Sequence, residues 1–209
     1  QHLSFSAGET VGEEIASVFE DLALIQSEMR SLEQQMAQVA GDGLNRVMEK
    51  YSRLQEAFDR ADGYASQAKT DAVIDGLGMT SWADRSVKVL SGGEKNLVGL
   101  AKMLLGEPDL LLLDEPGNHL DFEGLSWLEE FLKQSDRTVI LVSHDRYLLD
   151  RVVNKIVEVE DGQTSTYPGN YSGYRAEKMR ELIKQKAAFD DQQKEIGRLR
   201  ELIARYEDW

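Results

Sequence analysis

The chain of 209 residues contains no cysteine, which excludes disulfide scaffolds, thiolate metal sites and cysteine nucleophiles. Basic residues are also in deficit, because 24 lysines and arginines stand against 38 aspartates and glutamates, for a net charge of −14. Such an acidic total argues against general electrostatic binding to nucleic acid, which needs a basic face. The apolar runs are too short to cross a bilayer, and no basic-then-apolar leader opens the sequence. We therefore expect a soluble, cytoplasmic protein with no membrane segment.

The acidic charge is unevenly distributed. Residues 175–209 hold nine basic and eight acidic side chains, a net of +1, so residues 1–174 carry a net of −15. The C-terminal segment could therefore approach a polyanion that the rest of the chain would repel. The alternative interpretation is an ordinary solvated helix of alternating charge.

The first third of the sequence has helical periodicity. Apolar residues lie alternately three and four positions apart across residues 15–39 and again across residues 44–58, with a Gly-Asp-Gly turn at 41–43. Two such seams joined by a short turn predict an antiparallel coiled-coil hairpin. A third helix is expected over residues 65–77, ending before Gly78. The simpler alternative is a helical subdomain that packs only on itself.

The middle of the sequence has the pattern of a parallel sheet. Unbroken apolar runs at residues 110–113 and 138–142 flank a helical pattern at 122–134, which predicts two buried parallel strands joined by a crossover helix. Residues 155–160 and 164–167 predict a β-hairpin, and a charged helix is expected from Tyr174 onward.

Three groups of residues could carry chemistry. A helix that starts with Ser-Gly-Gly presents free backbone N–H groups to an anion, although the same residues are common in ordinary helix caps. Two consecutive carboxylates at the end of a strand would face opposite sides of the pleat. Asp114 could then bind Mg²⁺, and Glu115 could act as a general base. His144 ends the next strand, so we expect it beside that pair. The candidate anion-binding residues are Ser91, Gly92 and Gly93.

Together these segments resemble the motifs of ATP-binding-cassette (ABC) ATPases. Residues 90–95 look like the signature motif and 110–115 like the Walker B strand. Residues 118–121 look like the D-loop, and 143–145 like the switch histidine. Residues 114–121, 143–150 and 167–174 are similar to the ABC-F subfamily in particular, and the resemblance covers essentially the whole chain.

The resemblance implies roles for individual residues. ATP and Mg²⁺ would lie between two cassettes. The signature residues would face the γ-phosphate held by the second cassette; they are Ser91, Gly92, Gly93 and Glu94. Asp114 would serve Mg²⁺, Glu115 would be the catalytic base and His144 the γ-phosphate sensor. Asp121 belongs to the D-loop, and Gln1 lies where the Q-loop glutamine belongs.

The resemblance also implies a function. ABC-F proteins are soluble twin-cassette ATPases, many of which act on the ribosome in translation, with an interdomain linker hairpin that reaches towards tRNA. Here the helix that starts near Gly173 would be the first linker helix. The alternatives are an ATPase subunit of an ABC transporter and a non-catalytic coiled-coil interaction module.

Two departures from the family pattern qualify these expectations. Gly117 stands where the family usually has threonine. More seriously, no Gly-Lys dipeptide occurs anywhere in the 209 residues, so no Walker A motif is present. We therefore expect a partial first cassette that binds ATP weakly and is inactive alone.

The fold class expected is α/β, with a partial P-loop ATPase core that contains parallel strands. Residues 1–86 are predicted to form an all-α helical subdomain with the coiled-coil hairpin. Residues 87–168 would form the C-terminal part of the ATPase core, and 169–209 the linker helix.

Overall fold

The computed structural model describes residues 10–207, with side chains up to residue 203. The chain divides after Ser143 into two compact units. In the described residues, no helix is both long and apolar enough to span a membrane.

The first unit opens with helices that pack on one another. Thr10 caps the first of them, because its hydroxyl accepts a hydrogen bond from the backbone of Glu13 while the Glu13 carboxylate accepts one from the backbone of Thr10. Val11 and Ile15 are fully buried where this helix packs on later helices of the unit. The four helices are α1 (Val11–Ala16), α2 (Glu20–Met36), α3 (Asp42–Arg60) and α4 (Ser66–Gly76).

Helices α2 and α3 form the expected hairpin. They pack along their length, Lys50 of α3 pairs with Glu28 of α2 at 2.5 Å, and the Tyr51 hydroxyl donates to Glu33 at 2.9 Å. The turn between them depends on Gly41, whose φ of +63° favours glycine. The two apolar seams therefore correctly predicted a helical hairpin, and its description as a coiled coil stays a prediction.

The apolar seam over residues 15–39 does not correspond to one continuous α-helix. A 3₁₀ turn at Ser17–Phe19 separates α1 from α2, and α2 ends at Met36. The Ser17 hydroxyl donates to the Glu14 carbonyl at 2.7 Å. Such local side-chain bonds compete with regular helix geometry, and the periodicity of apolar residues does not report them.

The rest of the first unit forms a β-α-β arrangement preceded by a helix. Strands β1 (Leu110–Asp114) and β2 (Thr138–Val142) pair in parallel, with Leu112 opposite Ile140. Helices α5 (Gly92–Leu105) and α6 (Phe122–Gln134) precede and follow β1. The predicted parallel pair and crossover helix are therefore confirmed.

The two strands are not buried on both faces. Leu111 and Leu113 are buried, whereas Leu112 is 59% and Ile140 53% exposed. The expectation of fully buried strands is wrong in this structure, because side chains alternate across a strand and only one face is covered. An unbroken apolar run does not say how many faces are covered.

The second unit contains a β-hairpin and two helices. The hairpin turn uses Asp161 and Gly162, both with positive φ, as type I′ turns require. Asp150 accepts hydrogen bonds from the backbone N–H and the hydroxyl of Ser172, which anchors the start of the last helix. The elements are α7 (Arg146–Val152), β3 (Lys155–Glu160), β4 (Gln163–Pro168) and α8 (Tyr171–Glu207).

Candidate functional site

The start of α5 is organised by a reciprocal cap. The Ser91 hydroxyl accepts a hydrogen bond from the Glu94 backbone N–H at 3.3 Å. In return, Oε2 of Glu94 accepts the Ser91 backbone N–H at 2.8 Å and the Ser91 hydroxyl at 2.7 Å. This cap stabilises the first turn of α5 and fixes the position of the Ser91 side chain.

Glu94 has a second partner on its other oxygen. Nη1 of Arg85 donates to Oε1 of Glu94 at 2.9 Å, and the two charges form an ion pair. The pKa of Glu94 is lowered below its usual value, chiefly by the Ser91 hydroxyl and backbone and then by Arg85. Glu94 therefore stays ionised at neutral pH.

The two glycines after Ser91 have different surroundings. A Cβ added to Gly92 would meet no atom within 4 Å, so this part of the loop is open. A Cβ added to Gly93 would lie 3.1 Å from Nδ1 of His119, so His119 packs closely on the loop. The same imidazole lies 3.4 Å, through Nε2, from the Asn96 side-chain nitrogen.

A pocket of about 360 Å³ lies beside this loop. It brings together the start of α5, the end of α4 and the segment that leads into α6, three elements far apart in the sequence. Its lining residues are Leu77, Gly78, Trp82, Ser91, Gly93, Glu94, Leu97, His119 and Asp121.

Asp121 has a structural task in this arrangement. Its Oδ1 accepts the Gly124 backbone N–H at 2.8 Å and caps α6. Because Asp121 also lines the pocket, the cap fixes where its carboxylate lies relative to the α5 loop.

The carboxylates at the end of β1 are arranged differently from the expectation. Strand β1 ends at the exposed Asp114, and Glu115 adopts a left-handed backbone with φ of +48°. The Glu115 N–H still donates to the Val142 carbonyl at 2.8 Å. The expectation that both carboxylates alternate along one strand is therefore wrong, since the direction of Glu115 is set by the turn.

Asp114 is the residue expected to serve Mg²⁺. Among residues 10–207, no group of three or more histidine and acidic side chains converges to hold a metal ion. The residues present therefore do not make a metal site by themselves, and any metal at Asp114 needs further ligands.

The sequence-based site residues divide into those the structure brings together and those it does not. Ser91, Gly93, Glu94 and Asp121 share one pocket, with Gly92 in the same loop. Asp114 and Glu115 lie at the end of β1, outside that lining. Gln1 lies outside the described residues, and His144 opens the second unit, so the roles of both stay predictions.

Sequence reasoning missed Arg85, Trp82 and His119. His119 lies inside the D-loop motif, so the sequence indicated the segment that contains it. The sequence did not indicate its contact with Gly93. Arg85 comes nine residues before Glu94 in an irregular segment, and no periodicity links the two. Only the fold reveals that pair.

Comparison with known families agrees with the motifs. A family model described as ABC transporter matches residues 2–118, and a second with the same description matches residues 157–209. The chain belongs to the ABC transporter family. The fold is accordingly a partial ABC ATPase core with a helical subdomain, as expected.

Several curated ABC proteins are similar to this chain. Tylosin resistance ATP-binding protein TlrC from Streptomyces fradiae is 37% identical over 97% of the chain and 37% of its own length. ABC transporter F family member 2 from Arabidopsis thaliana is 37% identical over 98% of the chain and 31% of its own length. Energy-dependent translational throttle protein EttA from Mycobacterium tuberculosis is 44% identical over 70% of the chain and 26% of its own length.

These relatives confirm the ABC-F resemblance. The chain spans between 26% and 37% of the length of these three proteins. The similarity therefore covers only part of each relative and does not by itself assign the activity of a whole ABC-F protein to this chain.

Proposed function

We propose that this chain supplies the signature side of an ATP site in an ABC-F ATPase. The terminal phosphate of ATP bound by a second cassette would meet the start of α5. The observation that carries the proposal is the convergence of the signature loop and the D-loop on one pocket. Two motifs that lie about thirty residues apart meet at this pocket. Beside it, Gly92 leaves the backbone of the signature loop open to an anion.

The roles of the individual residues follow from their chemistry. The backbone N–H groups of Gly92 and Gly93 would donate hydrogen bonds to the phosphate oxygens. The Ser91 hydroxyl donates to Glu94 in this structure and would contact the phosphate only by exchanging that partner. Glu115 would orient an attacking water and accept its proton, and His144 would be a γ-phosphate sensor. Mg²⁺, when bound, offsets the negative charge of the phosphates, and Asp114 would be one of its ligands.

The 209 residues lack a Walker A motif, which matters for the chain alone. Without that loop the β- and γ-phosphates have no main cradle, so we expect weak ATP binding and essentially no turnover by these residues alone. Titration with a fluorescent ATP analogue measures this directly. Micromolar affinity of the 209-residue chain would contradict the expectation.

The signature assignment is tested with a pair of glycine variants in the full-length gene product. Gly92→Val fills the open side of the loop where the phosphate would approach. Gly197→Val is the matched control, because Gly197 is also helical and has no atom within 4 Å of an added Cβ. We expect Gly92→Val to lower ATP turnover to about half or less of the wild-type rate, because a second ATP site in the protein would still hydrolyse ATP. Gly197→Val should leave turnover unchanged. If Gly92→Val hydrolysed ATP at the wild-type rate, the result would contradict the assignment of this loop as the signature motif.

The proposal extends to translation, with the ribosome or tRNA as the partner and the cytoplasm as the place of action. It is supported by the similarity to EttA, named a translational throttle protein, and by α8, an exposed helix of 37 residues that could reach a partner. Within residues 175–209 the net charge is +1, against −15 elsewhere, so this segment is the part least repelled by RNA.

Ribosome co-sedimentation of the full-length gene product, with and without Glu115→Gln, tests the partner and the base together. If Glu115 drives hydrolysis, the variant should stay in its ATP-bound form and sediment with ribosomes more strongly in ATP than the wild type does. Equal sedimentation of the two proteins would contradict the role of Glu115. Recovery with membranes instead of ribosomes would favour a transporter subunit, and ATP-independent binding to a protein partner would favour an interaction module.

A further inference from the structure

The Glu94 carboxylate would repel a phosphate at the loop that starts α5, and the ion pair between Arg85 and Glu94 reduces that repulsion. The Glu94 carboxylate lies at the helix start and takes both the N–H and the O–H of Ser91. A phosphate that approached Ser91 would therefore meet a negative charge where it needs donors. Like charges at such short range disfavour binding.

Arg85 is placed to reduce that conflict. Its guanidinium donates to Oε1 of Glu94 and leaves Oε2 to Ser91, so the carboxylate is shared between the two. The two side chains are 45% and 30% exposed, which makes the pair accessible to solvent and sensitive to salt.

The backbone of Arg85 is fixed from two directions. Its carbonyl accepts the Val11 N–H at 2.9 Å, and its N–H donates to the Trp82 carbonyl at 3.0 Å. The guanidinium also lies 5.9 Å from the centre of the Trp82 ring, within cation–π range. Because Val11 is fully buried, this hydrogen bond holds the Arg85 backbone against the buried start of α1.

We propose that Arg85 is a positioning residue that neutralises Glu94 and holds its carboxylate so that the Ser91–Gly93 loop accepts the terminal phosphate of a nucleotide. The inference rests on the proposed function, since it concerns a residue that supports the same loop. Arg85 acts through Glu94 and contacts no reacting atom itself.

A double-mutant cycle in the full-length gene product tests the inference. Arg85→Gln leaves Glu94 uncompensated, and we expect the KM for ATP at the affected site to rise about threefold, the scale of a partly exposed ion pair, with little change in kcat. In the Glu94→Gln background the same Arg85→Gln change should alter KM by less than about twofold. Arg85→Lys should restore most of the affinity, and high salt should shrink the effect of Arg85→Gln.

The matched control is Arg53→Gln. Arg53 makes an exposed pair with Glu49 at 2.5 Å on α3, so this variant removes the same chemistry elsewhere and should leave KM unchanged. An equal KM rise in the Glu94→Gln background would show that Arg85 does not act through Glu94. So would a fall in kcat with KM unchanged.

Gly92→Val, measured in parallel, separates the two levels of the proposal. If Gly92→Val lowers turnover while the Arg85 cycle shows no coupling, only the role of Arg85 is overturned. If Gly92→Val has no effect, the signature role itself fails.

Discussion

The Tyr174 hydroxyl donates to Oε1 of Glu158 across 2.6 Å, which ties helix α8 to strand β3. The same carboxylate accepts Lys178 Nζ at 2.6 Å through its other oxygen. Lys178 also reaches Glu160 at 2.9 Å. Tyr174 and Lys178 lie four residues apart on one face of α8, so the first turns of this long helix are held against the β-hairpin.

Tyr174→Phe tests the weight of this contact. The variant keeps the ring, which packs edge-on against Tyr167 with centroids 5.0 Å apart, and removes only the hydroxyl. We expect the free energy of unfolding to fall by about 1.5 kcal/mol, the lower end of the range for a hydrogen bond to a charged group. Urea unfolding followed by circular dichroism measures it. A loss below the error of the measurement would mean that Lys178 and the Tyr167 hydroxyl hold Glu158 without help from Tyr174.

The same contact predicts a dependence on alkaline pH. The Glu158 carboxylate, with burial, raises the pKa of Tyr174 from 10.0 to about 12. A group whose pKa is raised on folding contributes stability that is complete below its unfolded pKa and lost as pH rises through the folded one. The difference in unfolding free energy between wild type and Tyr174→Phe should thus be constant up to about pH 9 and shrink between about pH 10 and 12. A difference that stayed constant to pH 12 would contradict the contact.

Glu14 and Lys102 form a second testable pair, between α1 and α5. The Glu14 side chain is only 2% exposed, and Lys102 Nζ donates to its Oε1. Removing the lysine leaves a carboxylate buried without its cation, so we expect Lys102→Met to lower the free energy of unfolding by about 3 kcal/mol. Chemical denaturation of the whole chain is the measurement.

The double variant Glu14→Leu with Lys102→Met serves as the control for that prediction. It replaces both charges by apolar side chains, which often costs little or stabilises. We expect it to recover most of the loss. If the double variant were as unstable as Lys102→Met alone, the cost would come from packing and not from the buried charge.

Local patterns were sufficient to predict many of the elements. Helix α6 and strand β2 have the predicted bounds, because caps and apolar periodicity act over a few residues. The turn at Asp161 and Gly162 was also predictable, since few residues tolerate positive φ.

Contacts between distant segments were not predictable. The pair between Glu14 and Lys102 joins residues 88 positions apart, and sequence spacing carries no information on it. The contact of His119 with Gly93 and the left-handed backbone of Glu115 likewise depend on how the chain returns to the sheet. The motifs therefore predicted the candidate residues, while the contacts among them required the fold.

Gly76, at the end of α4, is predicted to be intolerant of any side chain. A Cβ there would lie 2.2 Å from the Trp127 ring of α6, so Gly76→Ala must displace that ring or separate the two helices. We expect a loss of at least about 2 kcal/mol in the free energy of unfolding, the range for overpacking. Gly43→Ala is the control, because its Cβ would meet only Val39 at an ordinary 3.9 Å and alanine favours a helix over glycine, so stability should not fall. Equal stability of the two variants would show that α4 and α6 do not pack as described.

The left-handed backbone of Glu115 predicts a separation of stability from function. Glycine adopts a φ of +48° without strain, whereas alanine at that angle costs about 1 kcal/mol. Glu115→Gly and Glu115→Ala both remove the carboxylate and its contacts, so the difference between them reports the backbone alone. We expect Glu115→Gly to be the more stable by about 1 kcal/mol in denaturant unfolding, while both variants of the full-length gene product lose ATP turnover. Identical stability of the two variants would mean that residue 115 is not held in the left-handed region.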